Sequence, residues 1–331
     1  MPNRARLSKI ATFPQRGLVA AGRYADAAVA RAHRLGSPDV LPWPHEGQAC
    51  VEVVGLGGLG SSGDRTPVPI ASITKVMTAL VVLRQHPLRP LEQGPLVRVD
   101  ADAARESSSA IESVVPLEEG QSFPLRRMLE FLLVPSGNNV ARLLARWSAG
   151  SEAAFVALMN RTAADLGMTS TTYTGSCGMD LGNRSTASDL LKLAHAVMTD
   201  RVISAIVGTS EVVLSTGEPG FTTNRLLGRH GVVGLKTGTT TPAGGNVLWA
   251  VNTEVHGTRY LVLGAVLAQR TGHSPVRGRA AVWAHTERMV KAVPPALATL
   301  LAPPAPGRPA VPAQGSATHE SGTAPAPAAA A

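Results

Sequence analysis

The sequence predicts an α/β (α+β) domain in which an antiparallel sheet is covered by helices and the middle of the chain forms a helical lobe. Strand-like segments occur near both ends of the expected folded part, whereas the long stretch between them has the apolar spacing of helices. The late strands follow one another through short connections, which favour antiparallel pairing. A sheet assembled from both ends of the chain and packed against helices is a compact solution for that order of elements.

The individual elements follow from local patterns along the chain. Residues 50–54 form the first predicted strand, and residues 72–84 form a helix that is apolar on nearly every side and is therefore expected to be buried. Apolar spacing predicts further helices at residues 125–134, 138–147, 152–166 and 187–199. Strand signals return at residues 212–214, 232–236, 247–252 and 259–267. A last helix is predicted at residues 279–290.

The two ends of the chain have a different composition. Residues 1–46 are rich in Arg, Ala and Pro, which predicts a basic arm or linker with one short helix at residues 25–34. From residue 303 the sequence is mainly Pro, Ala, Gly and Ser, which bury too little apolar surface to become ordered. We therefore expect a disordered tail at residues 296–331 and a folded domain at residues 47–295.

Composition excludes several classes of protein. The chain has 331 residues, 44% of them hydrophobic, which is enough for a sizeable core. Two cysteines, Cys50 and Cys177, are too few for a disulfide-dense scaffold or a four-cysteine zinc site, and the nine histidines are scattered. No metal and no cofactor are therefore expected. The longest apolar run, residues 260–268, is about half the length of a membrane-spanning helix.

The charge balance is basic, with a net charge of +8. Such a balance suits anionic partners such as nucleic acid, a membrane surface or acidic wall polymers, without choosing among them. The first residues, among them Arg4 and Lys9, resemble the basic start of an export signal. Because Arg23 and Asp26 interrupt the sequence that follows, no apolar stretch of signal-peptide length is recognised.

Residues 55–63 contain two overlapping G-x-G-x-x-G matches directly after a predicted strand. A dinucleotide-binding turn would need a helix to begin at the third glycine. Pro67 and Pro69 follow closely and block such a helix. The pattern therefore indicates a Gly-rich hairpin or loop.

The first candidate catalytic pair is Ser72 and Lys75, and lysine is rare in this chain, with five among 31 basic residues. A spacing of three puts both side chains on one face of the predicted buried helix. A desolvated Lys can act as a base, which an Arg cannot, and a Ser hydroxyl needs a base to become a nucleophile. The ordinary alternative is that Ser72 caps the helix and Lys75 extends to the surface.

The second motif, Ser136-Gly137-Asn138, falls between two predicted helices. A hydroxyl and a carboxamide at this place can relay a proton and hold a substrate amide. The alternative is a helix cap, in which Ser136 satisfies the free N–H groups of the next helix.

The third motif, Lys236-Thr237-Gly238, lies at the end of a predicted strand. Lys and Thr can bind a substrate carboxylate there, and Gly lets a substrate backbone approach closely. The alternative is an exposed strand end followed by a turn glycine.

The ordered combination S-x-x-K, S-x-N and K-T-G is expected by chance on the order of once in a thousand such sequences, and it matches the motif set of penicillin-binding proteins and class A β-lactamases. The chain resembles the serine D-alanyl-D-alanine carboxypeptidases of the peptidase S11 type, the low-molecular-mass penicillin-binding proteins. Further segments carry the resemblance across most of residues 66–291, among them PIASITKVMTAL, STASDLLKLAHAVM and TNRLLGRHGVVGLKTGTTTPAGGN.

This resemblance implies the β-lactamase/transpeptidase-like three-layer sandwich, with a five-stranded antiparallel sheet between helices and a helical lobe. It implies that Ser72 attacks the peptide bond between two D-alanines, that Lys75 accepts the serine proton and that Ser136 passes a proton to the leaving amine. The resemblance implies binding roles for Asn138, Lys236, Thr237, Gly238, Thr239, Arg225 and Arg279. For the two arginines, a surface salt bridge is the alternative. Two lysines in one site should also disfavour each other's charge.

The implied substrate is a peptidoglycan stem peptide ending in D-Ala-D-Ala, with β-lactams as covalent inhibitors and no role for nucleic acid. Action is therefore expected on the cell-wall side of the membrane. Because no export signal is recognised, we expect that the start of the chain is truncated and that membrane association would need an N-terminal anchor that is missing here. Residues 106–112 match no segment of the family, and Asn139 replaces an Asp found in many relatives.

Two other functions remain open from the sequence. A β-lactamase-like hydrolase would need a second activated water, commonly positioned by a Glu between the second and third motifs. Glu211 and Glu218 lie in that interval, outside any E-x-x-L-N context. The other alternative is a penicillin-binding sensor or wall-binding module without turnover.

Overall fold

The computed structural model describes residues 41–302, which begin with strands and end with one long helix. The strands are β1 (Gln48–Val53), β2 (Gly57–Ser62), β3 (Val68–Pro69), β4 (Leu96–Arg98), β5 (Ser122–Pro124), β6 (Arg184–Ser185), β7 (Glu211–Val213), β8 (Pro219–Phe221), β9 (Val232–Thr240), β10 (Gly244–Val255) and β11 (Thr258–Gln269). The helices are α1 (Thr74–Gln85), α2 (Ala101–Glu106), α3 (Leu125–Leu133), α4 (Asn138–Ala149), α5 (Glu152–Asp165), α6 (Ala187–Thr199), α7 (Arg201–Val207) and α8 (Pro275–Leu300). The helix predicted at residues 25–34 and most of the predicted arm and tail lie outside the described residues.

Five antiparallel strands form the central sheet, in the order β2-β1-β11-β10-β9. The first two strands and the last three strands of the described region therefore meet in one sheet, with Gln48 opposite Leu267 where β1 pairs with β11. Short turns join β9 to β10 and β10 to β11, as the spacing predicted. The predicted fold class, an antiparallel five-stranded sheet with helices, is confirmed.

The sheet separates two hydrophobic cores because its strands alternate between two apolar faces. Along β10, Val247, Trp249 and Val251 face the core that is closed by α8, whereas Leu248 and Ala250 face the larger core of the helical lobe. Both faces of the central strands are thus buried. The result is three layers, with α8 on one side of the sheet and the remaining helices on the other.

Helix α1 is the centre of the helical lobe. Every residue from Thr74 to Leu83 is buried, in agreement with the nearly continuous apolar sequence. Helices α3, α4, α5 and α6 all pack against it. The predicted helix at residues 72–84 is observed with one difference, since it opens with a 3₁₀ turn at Ala71–Ile73.

The Gly-rich stretch at residues 55–63 is a hairpin, in which β2 pairs with β1 at the edge of the sheet. Leu59 is fully buried, and Gly60 gives room to Trp43, because a Cβ atom at Gly60 would lie 2.8 Å from the Trp43 ring. Leu41 is also buried in this core. The last residues of the predicted arm, from residue 41 to 46, therefore pack against the domain.

Helix α8 extends at both ends beyond the predicted residues 279–290, from Pro275 to Leu300. It also passes the expected domain boundary at residue 295, and Leu297 is 1% exposed in the core beneath the sheet. Pro294 and Pro295 lie inside the helix. Local sequence gives a poor estimate of this end because packing against the sheet, and not helix propensity, holds the last turns.

Within residues 41–302, no helix combines the length and apolar character needed to cross a bilayer.

The burial of Leu297 gives a first testable prediction. Leu297→Ala is expected to lower the free energy of unfolding by about 2 to 4 kcal/mol, because it opens a cavity in a packed core. Thr299→Ala, at an exposed position two residues further on, is expected to change it by less than about 0.5 kcal/mol. Urea unfolding of both variants measures the difference. Equal stability of the Leu297 variant and the parent would assign this residue to a disordered tail.

Candidate active site

Ser72 and Lys75 lie side by side where the central helix begins. Lys75 Nζ donates a hydrogen bond of 2.8 Å to Ser72 Oγ. No side-chain hydrogen bond caps the start of the 3₁₀ turn or of α1, so Ser72 is not acting as a helix cap. The residue before it, Ala71, has a left-handed φ of +47°. A serine hydroxyl and an amine that can take its proton are therefore in direct contact, as a nucleophile and its base require.

Lys75 is 0% exposed, which excludes the alternative that its side chain extends to the surface. Its Nζ also donates a hydrogen bond of 2.7 Å to the backbone oxygen of Cys177. The loop that carries Cys177 packs along α1, since Thr78 Oγ1 donates to the oxygen of Ser176 at 2.6 Å. These contacts leave the amine with two fixed acceptors and no exposed surface.

The electrostatics of the site follow mainly from burial. Burial lowers the pKa of Lys75 from 10.5 to about 8; Cys177 and Glu112 act in the opposite direction, and Arg142 lowers it further. The pKa of Lys236 lies well below its usual value, first because of burial and then because of the nearby Lys75 charge. Burial is thus the main cause at both lysines, and the predicted effect of one lysine's charge on the other is seen at Lys236.

Gly178 is a site residue that sequence reasoning missed. It has a left-handed φ of +92°, and a Cβ atom there would collide with the backbone oxygen of Ala71 and lie 2.9 Å from the nitrogen of Ser72. Only glycine lets this loop approach the start of the helix. The sequence around it gave no signal, because glycine is common in loops of every kind.

The second motif lies between α3 and α4, and α4 packs against α1. Ser136 is buried with a left-handed φ of +68°, and Asn138 is 2% exposed at the first position of α4. Asn138 Nδ2 donates a hydrogen bond of 2.9 Å to Glu112 Oε2. Among the described residues, Asn138 Oδ1 has no hydrogen-bond partner. The predicted cap role for Ser136 is not observed, since no side-chain hydrogen bond caps α4.

Asn139 is fully buried and organises the segment before the second motif. Its Oδ1 accepts from the nitrogen of Val115 at 3.0 Å, and its Nδ2 donates to the oxygens of Val115 at 2.8 Å and of Ser107 at 3.0 Å. An ionised Asp has no N–H group and would not make the contact with the Val115 carbonyl. The carboxamide thus fits this site as both donor and acceptor.

The third motif closes the site from the edge of the sheet. Lys236 Nζ donates hydrogen bonds of 3.2 Å to Thr223 Oγ1 and to the oxygen of Thr237. Thr237 Oγ1 donates to Thr223 Oγ1 at 2.8 Å. Thr223 is therefore a second residue that sequence reasoning missed, although it lies in the family-like segment from which Arg225 was chosen.

Contacts within the protein explain why residue 238 is a glycine. A Cβ atom at this position would lie 2.5 Å from the oxygen of Ile70 and 2.9 Å from the nitrogen of Ser72. The absent side chain thus lets β9 approach the backbone of Ile70 and Ser72, whereas the sequence predicted that this space serves the substrate. Asn246 holds this end of the strand, with Nδ2 donating to the oxygen of Gly238 at 3.3 Å.

The remaining candidates have exposed side chains. Arg225 lies before the buried Leu226, and Arg279 lies in the first turns of α8; their predicted part in binding stays a prediction. Glu211 and Glu218 lie in the hairpin formed by β7 and β8, and both are exposed, in contrast to the buried Lys75. Within residues 41–302, no three His, Cys, Asp or Glu side chains are grouped as a metal site would need.

Cys50 and Cys177 are both free thiols. Burial raises the pKa of each, that of Cys50 to about 11. A thiol that stays protonated at neutral pH is a poor nucleophile, so neither cysteine is a good candidate nucleophile.

The site combines three sets of groups. The Ser72 hydroxyl contacts the buried Lys75 amine, and the Asn138 carboxamide lies at the start of α4. Lys236 is joined with the hydroxyl groups of Thr223 and Thr237. The nitrogen of Ser72 lies against β9, the strand that also carries Thr239. Such an arrangement suits acyl transfer, with a nucleophile and base on one side and groups that bind an anion on the other.

A family profile described as D-alanyl-D-alanine carboxypeptidase matches residues 59–266, which is more than half of the chain and includes all three motifs. Among curated proteins, the chain is 31% identical over 176 residues to the D-alanyl-D-alanine carboxypeptidase DacF of Bacillus subtilis, covering 51% of this chain and 44% of that protein. It is 36% identical over 184 residues to a D-alanyl-D-alanine endopeptidase of Pseudomonas aeruginosa, covering 54% and 57%. The chain spans about half the length of these relatives.

Solved structures give the same picture. A DD-transpeptidase from Streptomyces is 25% identical, with a TM-score of 0.63 over 75% of this chain and 98% of that one. Penicillin binding protein 6B from Escherichia coli is 26% identical, with a TM-score of 0.62 over 76% of this chain and 81% of that one. The similarity therefore extends over nearly the whole of the Streptomyces chain.

The burial of Lys75 predicts a pH-dependent stability. The unfolded chain binds this proton with the ordinary pKa of 10.5 and the folded chain with a pKa of about 8, so the unfolded state binds more protons between these values. Stability is expected to rise with pH across that window. A shift of this size corresponds to about 3 kcal/mol, part of which is offset by the two hydrogen bonds of the amine.

Lys75→Met is therefore expected to be more stable than the parent below pH 8 by about 1 to 3 kcal/mol, with the difference disappearing near pH 10.5. Lys291→Met, at an exposed position in α8, is the control and is expected to leave stability unchanged. Denaturant unfolding between pH 7 and pH 10.5 tests this. A gap between variant and parent that does not depend on pH would contradict the prediction.

Proposed function

Because the chain belongs to the D-alanyl-D-alanine carboxypeptidase family, as its motifs predicted, we propose that it removes the terminal D-Ala from stem peptides through an acyl-enzyme on Ser72. The observation that carries this proposal is the hydrogen bond from Lys75 to Ser72 inside a buried site. Burial keeps a useful fraction of the amine neutral near neutral pH, so it can accept the hydroxyl proton.

In the proposed first step, Ser72 Oγ attacks the carbonyl carbon of the bond between the two D-alanines, and Lys75 Nζ takes the hydroxyl proton. The backbone N–H groups of Ser72 and Thr239 stabilise the oxyanion that forms. The C–N bond then breaks, and Ser136 gives its proton to the nitrogen while it receives the proton held by Lys75, so that D-Ala leaves as an amine and Lys75 is neutral again. In the second step, Lys75 takes a proton from the water that attacks the ester. The ester C–O bond breaks, the acyl group leaves as a free acid, and the proton on Lys75 returns to Ser72.

Binding of the peptide is assigned to the two sides of this serine. Lys236 and Thr237, held together through Thr223, are proposed to bind the terminal carboxylate. Asn138 is proposed to hold the peptide backbone on the opposite side. A carboxylate next to Lys236 favours its charged form, which compensates the burial of that ammonium group.

β-Lactams are proposed as covalent inhibitors, since they carry an acylating carbonyl and a carboxylate in one small molecule. The same family assignment supports action on peptidoglycan, outside the cytoplasmic membrane.

The first experiment measures intact mass after incubation with benzylpenicillin, in the parent and in Ser72→Ala. We expect a long-lived adduct in the parent and none in the variant, together with D-Ala release from a peptide ending in D-Ala-D-Ala only by the parent. Rapid loss of penicillin without an adduct would indicate a β-lactamase. An adduct without D-Ala release would indicate a sensor without turnover. A folded parent that neither reacts with penicillin nor consumes it would contradict the active-serine proposal.

The pKa of Lys75 predicts the pH dependence of acylation. Because the amine must be neutral to accept a proton, the rate is expected to rise about tenfold per pH unit below its pKa of about 8 and to level off above it. Lys75→Arg is expected to abolish acylation, because a guanidinium group does not deprotonate in proteins. The rate of acylation by benzylpenicillin, measured between about pH 6 and pH 9.5, gives the profile. Half of the maximal rate is expected at a pH near the pKa of Lys75. A rate that does not change over this range would count against Lys75 as the base.

A further inference from the structure

The segment at residues 107–115 contacts the second motif, although the sequence alone gave no recognisable family pattern at residues 106–112. Asn139 fixes this segment through Ser107 and Val115, and the nitrogen of Asn138 donates to the oxygen of Ser113 at 2.7 Å. Glu112 is thereby held beside the site. Its side chain is 18% exposed, which is low for a glutamate.

Two groups bind the Glu112 carboxylate. Asn138 Nδ2 donates to Oε2 at 2.9 Å, and Arg142 Nη2 donates to Oε1 at 3.1 Å and to Oε2 at 3.0 Å. Arg142 also pairs with Glu106 at 3.0 Å, but Glu106 makes no hydrogen bond with Asn138 among the described residues. Of the two glutamates that pair with Arg142, Glu112 therefore contacts the Asn138 carboxamide and Glu106 does not.

An ionised carboxylate only accepts hydrogen bonds, so it binds the nitrogen end of a carboxamide and not the oxygen end. With Nδ2 turned to Glu112, the Asn138 Oδ1 atom faces away and has no partner among the described residues. A buried acceptor without a partner is costly, and a ligand N–H group would satisfy it. Because Arg142 donates to both oxygens of the Glu112 carboxylate, the geometry favours a role in which Glu112 holds Asn138 over a role in proton transfer.

We propose that Glu112 is a positioning residue, which fixes the orientation of the Asn138 carboxamide so that Oδ1 accepts from an N–H group of the peptide substrate. The proposal rests on the proposed function, because it assigns a partner to Asn138 in that reaction. It adds a residue from outside the three motifs to the substrate-binding machinery.

The experiment compares second-order rate constants for acylation by benzylpenicillin and kcat/KM for D-Ala release in the parent, Glu112→Gln, Glu112→Ala and Glu106→Gln. A glutamine can donate or accept, so it allows both orientations of the carboxamide. Glu112→Gln is expected to lower both constants about tenfold, and Glu112→Ala by at least as much. Glu106→Gln, which loses an ion pair with the same arginine, is expected to stay within about twofold of the parent.

A double-mutant cycle shows whether Glu112 acts through Asn138. In an Asn138→Ala background, Glu112→Gln is expected to cause less than about a twofold further loss, because the group that it positions is gone. A loss as large as in the parent background would overturn the proposal and assign Glu112 a merely structural role.

The pH profile gives a second readout. Lys75 faces Glu112, Arg142, Cys177 and Lys236, and the Glu112 carboxylate raises its pKa. Acylation by Glu112→Gln is therefore expected to reach half-maximal rate at a lower pH than in the parent, while Glu106→Gln keeps the parent profile. Thermal melts identify variants that fail to fold. If Glu112→Gln is one of them, Glu112→Asp, which keeps the charge, replaces it. Glu112→Asp is expected to keep the parent's pH of half-maximal acylation and to show a reduced rate.

The outcomes separate the two proposals. A parent that is acylated, together with a Glu112→Gln variant that matches it in rate and midpoint, overturns the role of Glu112 alone. Equal losses in Glu112→Gln and Glu106→Gln do so as well, because they trace the effect to Arg142. A folded parent that is not acylated overturns the proposed function, and this proposal with it.

Discussion

The burial of one lysine amine is the constraint on which the rest of the site depends. Lys75 has no exposed surface and two acceptors, Ser72 Oγ and the Cys177 oxygen. Desolvation of a charged group is expensive, and it is this cost that keeps the amine available as a base. Everything that surrounds the amine must therefore exclude water and still leave Ser72 reachable. The surrounding helices meet the first need, and Ser72 itself stays partly exposed, as the second need requires.

Close approach of backbones is what makes this burial possible. Gly178 and Gly238 both approach the same nitrogen, that of Ser72, and neither position has room for a side chain. Ala71 and Ser136 adopt left-handed conformations that cost about 1 to 3 kcal/mol each in residues other than glycine. Such conformations persist where the surrounding packing determines them. Here Ala71 directly precedes Ser72, and Ser136 is itself proposed to relay a proton, so two of these conformations belong to the proposed site.

How much of the structure the sequence predicts depends on whether the contacts involved are local or join segments far apart in the chain. The apolar spacing of α6 and the spacing of Ser72 and Lys75 are local, and both were predicted with the correct residues. Thr223, Gly178 and Glu112 were missed because their site contacts join segments far apart in the chain, and no local pattern marks them. The end of α8 at Leu300 was missed for a related reason, since packing of Leu297 against the sheet overrides two prolines. Motif order indicated the chemistry, but only the fold reveals which loop residues support it.

The charge distribution supports the proposal that the substrate ends in a carboxylate. Lys75, Lys236 and Arg142 bring three cationic groups together, and Glu106 and Glu112 both bind Arg142. The two lysines therefore lack a carboxylate partner of their own among the described residues, and burial disfavours the charge of each. A terminal carboxylate bound at Lys236 raises the pKa of that lysine, while the pKa of Lys75 stays low enough for a base. The proposed binding of a carboxylate by Lys236 and the proposed base role of Lys75 thus have one cause, which is that two buried lysines lack carboxylate partners within the described part of the chain.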